Sequence, residues 1–235
     1  GSEIYKIAKA DYDKELAEAL EQKEQVDFIL NANKTIANFI GKEDYTLEEL
    51  KAVSSPKADV LQSKYVMLQI ITQTGPDFHG ELKEYKTQVY DMLNCNLNLE
   101  LDSRKIVGDN PEDLTDKKYG NNIVYGPDPT KANVLHGTHV AGIIAQIRHN
   151  DLGGDGVANN VSILVVRAVP NGDEYDKDIA LGIRYAVDNG AKVINGSFGK
   201  SYSPHKQWVF DAIKYAEKKD VLFVHAAGND GNNID

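Results

Sequence analysis

Two short runs, Ile163-Leu164-Val165-Val166 and Val221-Leu222-Phe223-Val224, constrain the fold of this chain more than any other feature. Each is apolar at every position, which suits a strand buried on both faces and not a strand that alternates core with solvent. Between and around them the spacing predicts amphipathic helices. The reading in chain order is a helix from about 139, a strand at 162–169, a helix at 178–188, a strand at 192–196, a helix at 204–219 and a strand at 221–226. Strands alternating with helices imply an α/β fold with a parallel sheet. In such sheets ligands sit beyond the carboxyl ends of the strands. Three features fall there or at the start of the first helix: His136, Ser197-Phe198-Gly199 and Asn229.

Residues 3 to about 98 follow a different pattern. Apolar residues recur three or four apart among charges, as in Leu16/Leu20, Ile29/Ile36 and Leu61/Tyr65/Leu68, the period of helices. Gly41, Ser54-Ser55-Pro56 and Gly75-Pro76 punctuate the run into about four helices. Thr46-Leu47-Glu48-Glu49 has the form of a capping box. Nothing in this half carries chemistry, and it reads as a module that packs or shields. The expected division is therefore a helical module at 3–100 and an α/β domain at 101–235. The stretch from Val107 to Asn133, crowded with Gly, Asn, Asp and Pro, reads as loop.

A formal net charge of −10 argues against a nucleic-acid partner, which needs clustered Lys and Arg. Lys214 and Lys218-Lys219 are interrupted by Glu217 and followed by Asp220, as on a solvated helix face. The single cysteine, Cys95, excludes an intramolecular disulfide framework and a multi-cysteine metal site. No apolar run is long enough to span a bilayer, and no signal peptide opens the sequence.

The segment His136-Gly137-Thr138-His139-Val140-Ala141-Gly142 places two histidines three apart among very small residues. A zinc-peptidase helix would space them four apart beside a glutamate, and no third ligand is marked here, so no metal is assigned. A base at a helix start explains more. The free amides there disfavour imidazolium and keep the ring able to accept a proton. Gly137 and Gly142 are expected to let the helix lie close to its neighbours, and His139 to be a hydrogen-bonded packing residue.

This segment resembles the histidine motif of the subtilases, the subtilisin-like serine peptidases. Val193-Ile194-Asn195-Gly196-Ser197-Phe198-Gly199 is similar to their substrate-binding strand and loop. Val224-His225-Ala226-Ala227-Gly228-Asn229-Asp230-Gly231 resembles the segment of their oxyanion-hole asparagine, and Gly156-Val157-Ala158 fits the approach to the strand after the histidine helix. The resemblance covers roughly 104–235 and implies a partial subtilisin-like parallel-sheet core with an N-terminal all-helical module. It implies that His136 is the general base and acid, and that the Asn229 amide donates to the oxyanion. It also implies that Ser197, Phe198 and Gly199 pair with an extended polypeptide substrate. No cofactor is implied, structural calcium in a whole parent protein is left open, and most members are exported.

The departures are specific. Gly196 stands where a bulkier apolar residue is usual, which is expected to loosen the strand, and His225 replaces a small residue and is expected to be buried and hydrogen-bonded. A subtilase also needs an aspartate before the histidine and a serine, in Gly-Thr-Ser, after the asparagine. No Gly-Thr-Ser occurs in the 235 residues. The nearest aspartate motif, Leu101-Asp102-Ser103-Arg104, has Arg104 for glycine and follows Asn96–Leu101, whose alternation suits a half-exposed strand. The expectation is an internal piece of a larger serine endopeptidase, inactive by itself, with 3–100 as a helical insertion between the aspartate and histidine motifs. Gly1-Ser2 reads as a remnant of expression. Unpaired strand edges and bare apolar faces predict self-association. A natural pseudo-peptidase that binds peptide or protein is the alternative. A nucleotide-binding protein fits poorly, because Gly228-Asn229-Asp230-Gly231 lacks a phosphate-loop lysine.

Overall fold

The computed structural model describes residues 2–75, 77–125, 135–169, 174–229 and 231, and the chain divides into two compact units, 1–101 and 102–235.

The first unit is helical. Helix α1 spans Ser2–Ile40, α2 Leu47–Ala52, α3 Ala58–Thr74 and α4 Phe78–Asp91, followed by one π-helical turn at Met92–Asn96. α1 packs against α3 and α4, and α2 against α3. Ile36, Tyr45, Leu50, Met67 and Phe78 are almost wholly buried between them. Tyr45 satisfies its hydroxyl on Asn33 Oδ1 at 2.7 Å, so the ring can be buried without stranding a polar group. The capping box at α2 is present. The Glu49 amide donates to Thr46 Oγ1 at 3.2 Å, and the Thr46 amide donates to Glu49 Oε2 at 2.7 Å.

The helical spacing read at Leu61/Tyr65/Leu68 holds without naming the buried face, and one expectation for this half needs correction. On α3 the buried stripe is Val60, Ser63, Met67 and Ile71, while Leu61 and Tyr65 are exposed. Both faces of α3 carry apolar residues, so period alone gives the helix without saying which face packs. The half-exposed strand at 96–101 does not form. The end of the π-helical turn and the turn after it occupy that place, with the Leu101 amide bonded to the Asn98 carbonyl at 3.1 Å.

In the second unit α5 is a single turn at Arg104–Val107, α6 spans Leu135–Ala145, α7 Asp176–Asp188, β1 Val193–Gly196, α8 Lys206–Lys218 and β2 Leu222–His225. β1 and β2 are parallel, with Val193 opposite Leu222 and Gly196 opposite His225. α7 and α8 pack together over a core of Ile179, Ala180, Ile183, Val187, Ala212, Ala216 and Val221, against which Ile194 and Phe223 of the strands also lie. The loop expectation for 107–133 holds as far as 125; the remainder lies outside the described residues.

The apolar run at 162–169 forms no strand, although Val166 and Ala168 still lie against α7 beside Gly182. A parallel strand needs a ladder partner and cover on both faces. Here Ile163, Leu164 and Val165 remain exposed, as do Val193, Leu222 and Val224 of the two strands. The sheet is thus an α/β element with helices on one side, not the doubly covered sheet the sequence predicts.

Candidate functional site

His136 is the second residue of α6 and is exposed, and its ring makes no hydrogen bond to a described residue. His139, one turn on, is likewise exposed instead of packed. A Cβ at Gly137 or Gly142 would meet nothing within 4 Å among the described residues, so the close approach expected of these glycines is not seen. α6 makes no extensive packing with another helix or strand.

Its far end is well built. The Gln146 amide donates to Gly142, the Val157 amide to Ile143 at 2.9 Å, and the Ala158 amide to Ile144 at 2.8 Å, which satisfies carbonyls that a helix end leaves free. Gly156 allows this return. A Cβ there would lie 2.4 Å from the backbone nitrogen of Gln146. The Gly156-Val157-Ala158 segment singled out in the sequence therefore caps the histidine helix.

The parallel pairing of β1 and β2 sets out the rest. Beyond Gly196 the ladder continues through the Ala226 amide, which donates to the Gly196 carbonyl at 3.1 Å. Ser197, Phe198 and Gly199 follow directly. Ser197 Oγ accepts from Asn195 Nδ2 at 2.9 Å, and the Phe198 ring meets His225 edge to face at 5.6 Å. A Cβ on Gly196 would lie 2.8 Å from Phe223 Cζ and 3.4 Å from both His225 and Phe198. Glycine here makes room for three aromatic rings, which corrects the expectation of a loosened strand. His225 is exposed and held by ring contacts, with no hydrogen bond to a described residue, instead of being buried and hydrogen-bonded.

Asn229 stands four residues after β2 and is exposed. Gly228 before it has φ +90°, a conformation that would strain any residue with a side chain. The turn aims the chain out of the strand and presents Asn229 beyond its carboxyl end. The structure thus places Phe198 and Gly199 beside His225, with Ser197 bonded to Asn195, and carries His136 on a separate helix. Asp102 is engaged locally, accepting from the Lys105 amide at 3.3 Å.

The sequence reading missed a buried ionic cluster at the start of α7. Lys177 and Asp109 have no exposed side-chain surface and are bridged at 2.6 Å, and the ammonium also donates to the Asn110 carbonyl at 2.7 Å. Arg104 donates to Asp109, and through Nη1 to Asp178 at 2.7 Å; Tyr119 donates to Asp178 as well. Burial would push the Asp109 carboxyl up, but the Arg104 and Lys177 cations outweigh it and hold it below the usual range. In the sequence Asp176-Lys177-Asp178 is only a charged stretch where the predicted helix begins, and nothing local marks its partners. Only Arg104 standing in place of a small residue hinted otherwise.

Among the described residues no group of three His, Cys, Asp or Glu side chains is placed to hold a metal ion. No helix of those residues is long and apolar enough to cross a membrane.

With this geometry in place, comparison with known proteins is decisive. The model of the subtilase family matches residues 36–235. The chain belongs to the subtilase family. It is 42% identical over 135 residues to the thermophilic serine proteinase of Bacillus sp. (strain AK1), covering 57% of this chain and 30% of that protein. It is 41% identical over 128 residues to thermitase of Thermoactinomyces vulgaris, covering 54% and 45%. With the cell wall-associated protease of Bacillus subtilis (strain 168) the identity is 43% over 115 residues, covering 48% and 12%. This subtilase sequence therefore spans less than half the length of each of these relatives. No solved structure matched it.

Proposed function

We propose that this chain supplies the histidine and oxyanion part of a subtilisin-like serine endopeptidase that hydrolyses peptide bonds through an acyl-enzyme. The observation that carries the reading is the parallel β1–β2 pair, which sets Ser197–Gly199 and the Gly228-Asn229 turn beyond the same strand ends. His136 takes the proton of a serine and returns it to the leaving amine. The Asn229 carboxamide donates to the oxyanion, and as a neutral group it does so without titrating. Ser197, Phe198 and Gly199 pair their backbone with an extended polypeptide. Residues 3–100 form a helical insertion ahead of the histidine motif. Family membership, with one relative named as a cell wall-associated protease, supports an exported protein.

The 235 residues alone are inactive on this reading, because they contain no Gly-Thr-Ser serine. The expected outcome is no stoichiometric labelling by a fluorophosphonate and no casein hydrolysis. In the intact gene product labelling should appear, and His136→Ala should abolish it. Asn229→Ala should lower kcat by about 10²–10³, a scale taken from a subtilisin, itself a member of this family. Labelling of the 235-residue chain, or an Asn229→Ala enzyme with unchanged kcat, would overturn the assignment.

Self-association is part of the same reading. Among the described residues Leu222, Val224 and the 163–166 run leave apolar surface open, and β1 and β2 pair only with each other. Light scattering should show mass growing with concentration; a monodisperse monomer would refute it.

A further inference from the structure

The first turn of α7 spends its charges on other segments. Lys177 and Asp178 bind the 104–119 segment, as described above. Asp176, only 6% exposed, faces the other way. It does not cap its own helix, which has no side-chain cap. Asp176 Oδ1 accepts from Ser203 Oγ at 2.7 Å, and Oδ2 accepts from the His205 amide at 2.7 Å. Lys200 pairs with Oδ1 at 3.2 Å and donates to the Glu174 carbonyl at 2.6 Å. One carboxylate thus grips both ends of the loop that begins immediately after Gly199. His205 closes the arrangement, with Nε2 2.7 Å from Glu112 Oε2 and its ring stacked on Trp208 at 4.0 Å.

We infer that Asp176 is a positioning residue for substrate binding: by clamping Lys200, Ser203 and the His205 amide it fixes the register of Ser197-Phe198-Gly199. This rests on the reading of 197–199 as the substrate-pairing segment. The segment is held behind by the β1–β2 ladder and at Phe198 by packing against His225 and the core, and leads on into the 200–205 loop. The clamp supplies a further attachment, so the backbone of the segment is presented in one arrangement before a peptide arrives. Ordering in advance lowers what binding must spend on immobilising the loop. Burial pushes the Asp176 carboxyl up, and the Ser203, His205 and Lys200 donors more than offset this, keeping it ionised well below neutral pH.

The test uses the 235-residue chain, its Asp176→Asn variant and the milder Ser203→Ala. Hydrogen exchange in 197–205 should quicken about tenfold in Asp176→Asn, the scale of one lost charge-assisted bond, while 179–187 of α7 stays unchanged. Acetyl-hexaalanine amide, titrated by NMR, should shift the Ser197 and Gly199 amides in the unaltered chain and bind about tenfold more weakly to Asp176→Asn. Ser203→Ala, which leaves the α7 charge intact, should move both readouts the same way by less. If the peptide shifts those amides equally in all three proteins, the positioning role is refuted and the substrate-segment reading stands. If it shifts them in none, that reading falls and the positioning role with it.

Discussion

The two units meet the same requirement, burial of apolar surface with every backbone group paired, by opposite means. In the helical unit each helix closes its hydrogen bonds within itself, so packing needs only complementary stripes. Val26, Ile36, Leu50, Met67 and Phe78 find them. In the second unit the strands depend on partners distant in sequence, and only four residues of each are paired. Leu222 and Val224 are as apolar as anything in the helical core, yet stand exposed. Charge is distributed in the reverse sense. Ion pairs of the helical unit, such as Lys9–Asp13, lie on exposed faces where they contribute little, whereas Lys177–Asp109 is fully enclosed. Local structure tolerates a dry apolar core. The sheet unit instead fastens its irregular 104–119 segment with buried ions.

The largest effect expected from this contrast is in the apolar cores. Phe78→Ala should destabilise the helical unit by about 3–5 kcal/mol, through lost transfer energy and the cavity left behind. Leu222→Ala, at a position 60% exposed, should cost within about 0.5 kcal/mol. Urea unfolding followed by far-ultraviolet circular dichroism checks the first, and fluorescence of Trp208, the single tryptophan and a residue of α8, checks the second. Comparable losses at both sites would break the comparison, because Leu222 would then be covered.

What the sequence made legible follows the same division. Helix positions in the first unit, and the Thr46–Glu49 box, could be read because each depends on neighbours within four residues. The packed face of α3 could not, since both faces carry apolar residues and the positions of α1, α2 and α4 choose between them. In the second unit α7, β1, α8 and β2 lie within two residues of their expected limits, whereas 162–169, expected as a strand, has no ladder. Whether an apolar run becomes a strand depends on a partner that local pattern cannot specify. For the candidate site, residue types were visible and their surroundings were not. Gly196 read as a weakness and is the space that Phe223, His225 and Phe198 fill. The roles of Asp176, Lys177 and Asp178 were not visible because their partners lie more than 20 residues away.

The buried ions give a smaller effect with a definite pH sign. Asp109→Asn removes the carboxylate shared by Arg104 and Lys177 and leaves Lys177 enclosed, an imbalance expected to cost the second unit about 3 kcal/mol. Asp109 and Asp176 are both held below the ordinary carboxyl value. Their contribution is therefore fully present above the unfolded pKa of about 4, and is lost as pH falls through the lower folded values. Acid titration of Trp208 fluorescence should show the unaltered unit losing stability steeply below about pH 4. In Asp109→Asn the loss should be shallower, because one of the enclosed carboxylates that takes up a proton on unfolding is gone. The helical unit also has lowered carboxyls, Asp27 and Glu49, but these sit on half-exposed or exposed pairs with Lys23 and Lys42 that solvent reaches and partly screens. Its circular dichroism should fall more gently over the same range. Equal acid slopes for the two units, or an Asp109→Asn slope as steep as that of the unaltered chain, would show that the enclosed ions are not what fastens the second unit.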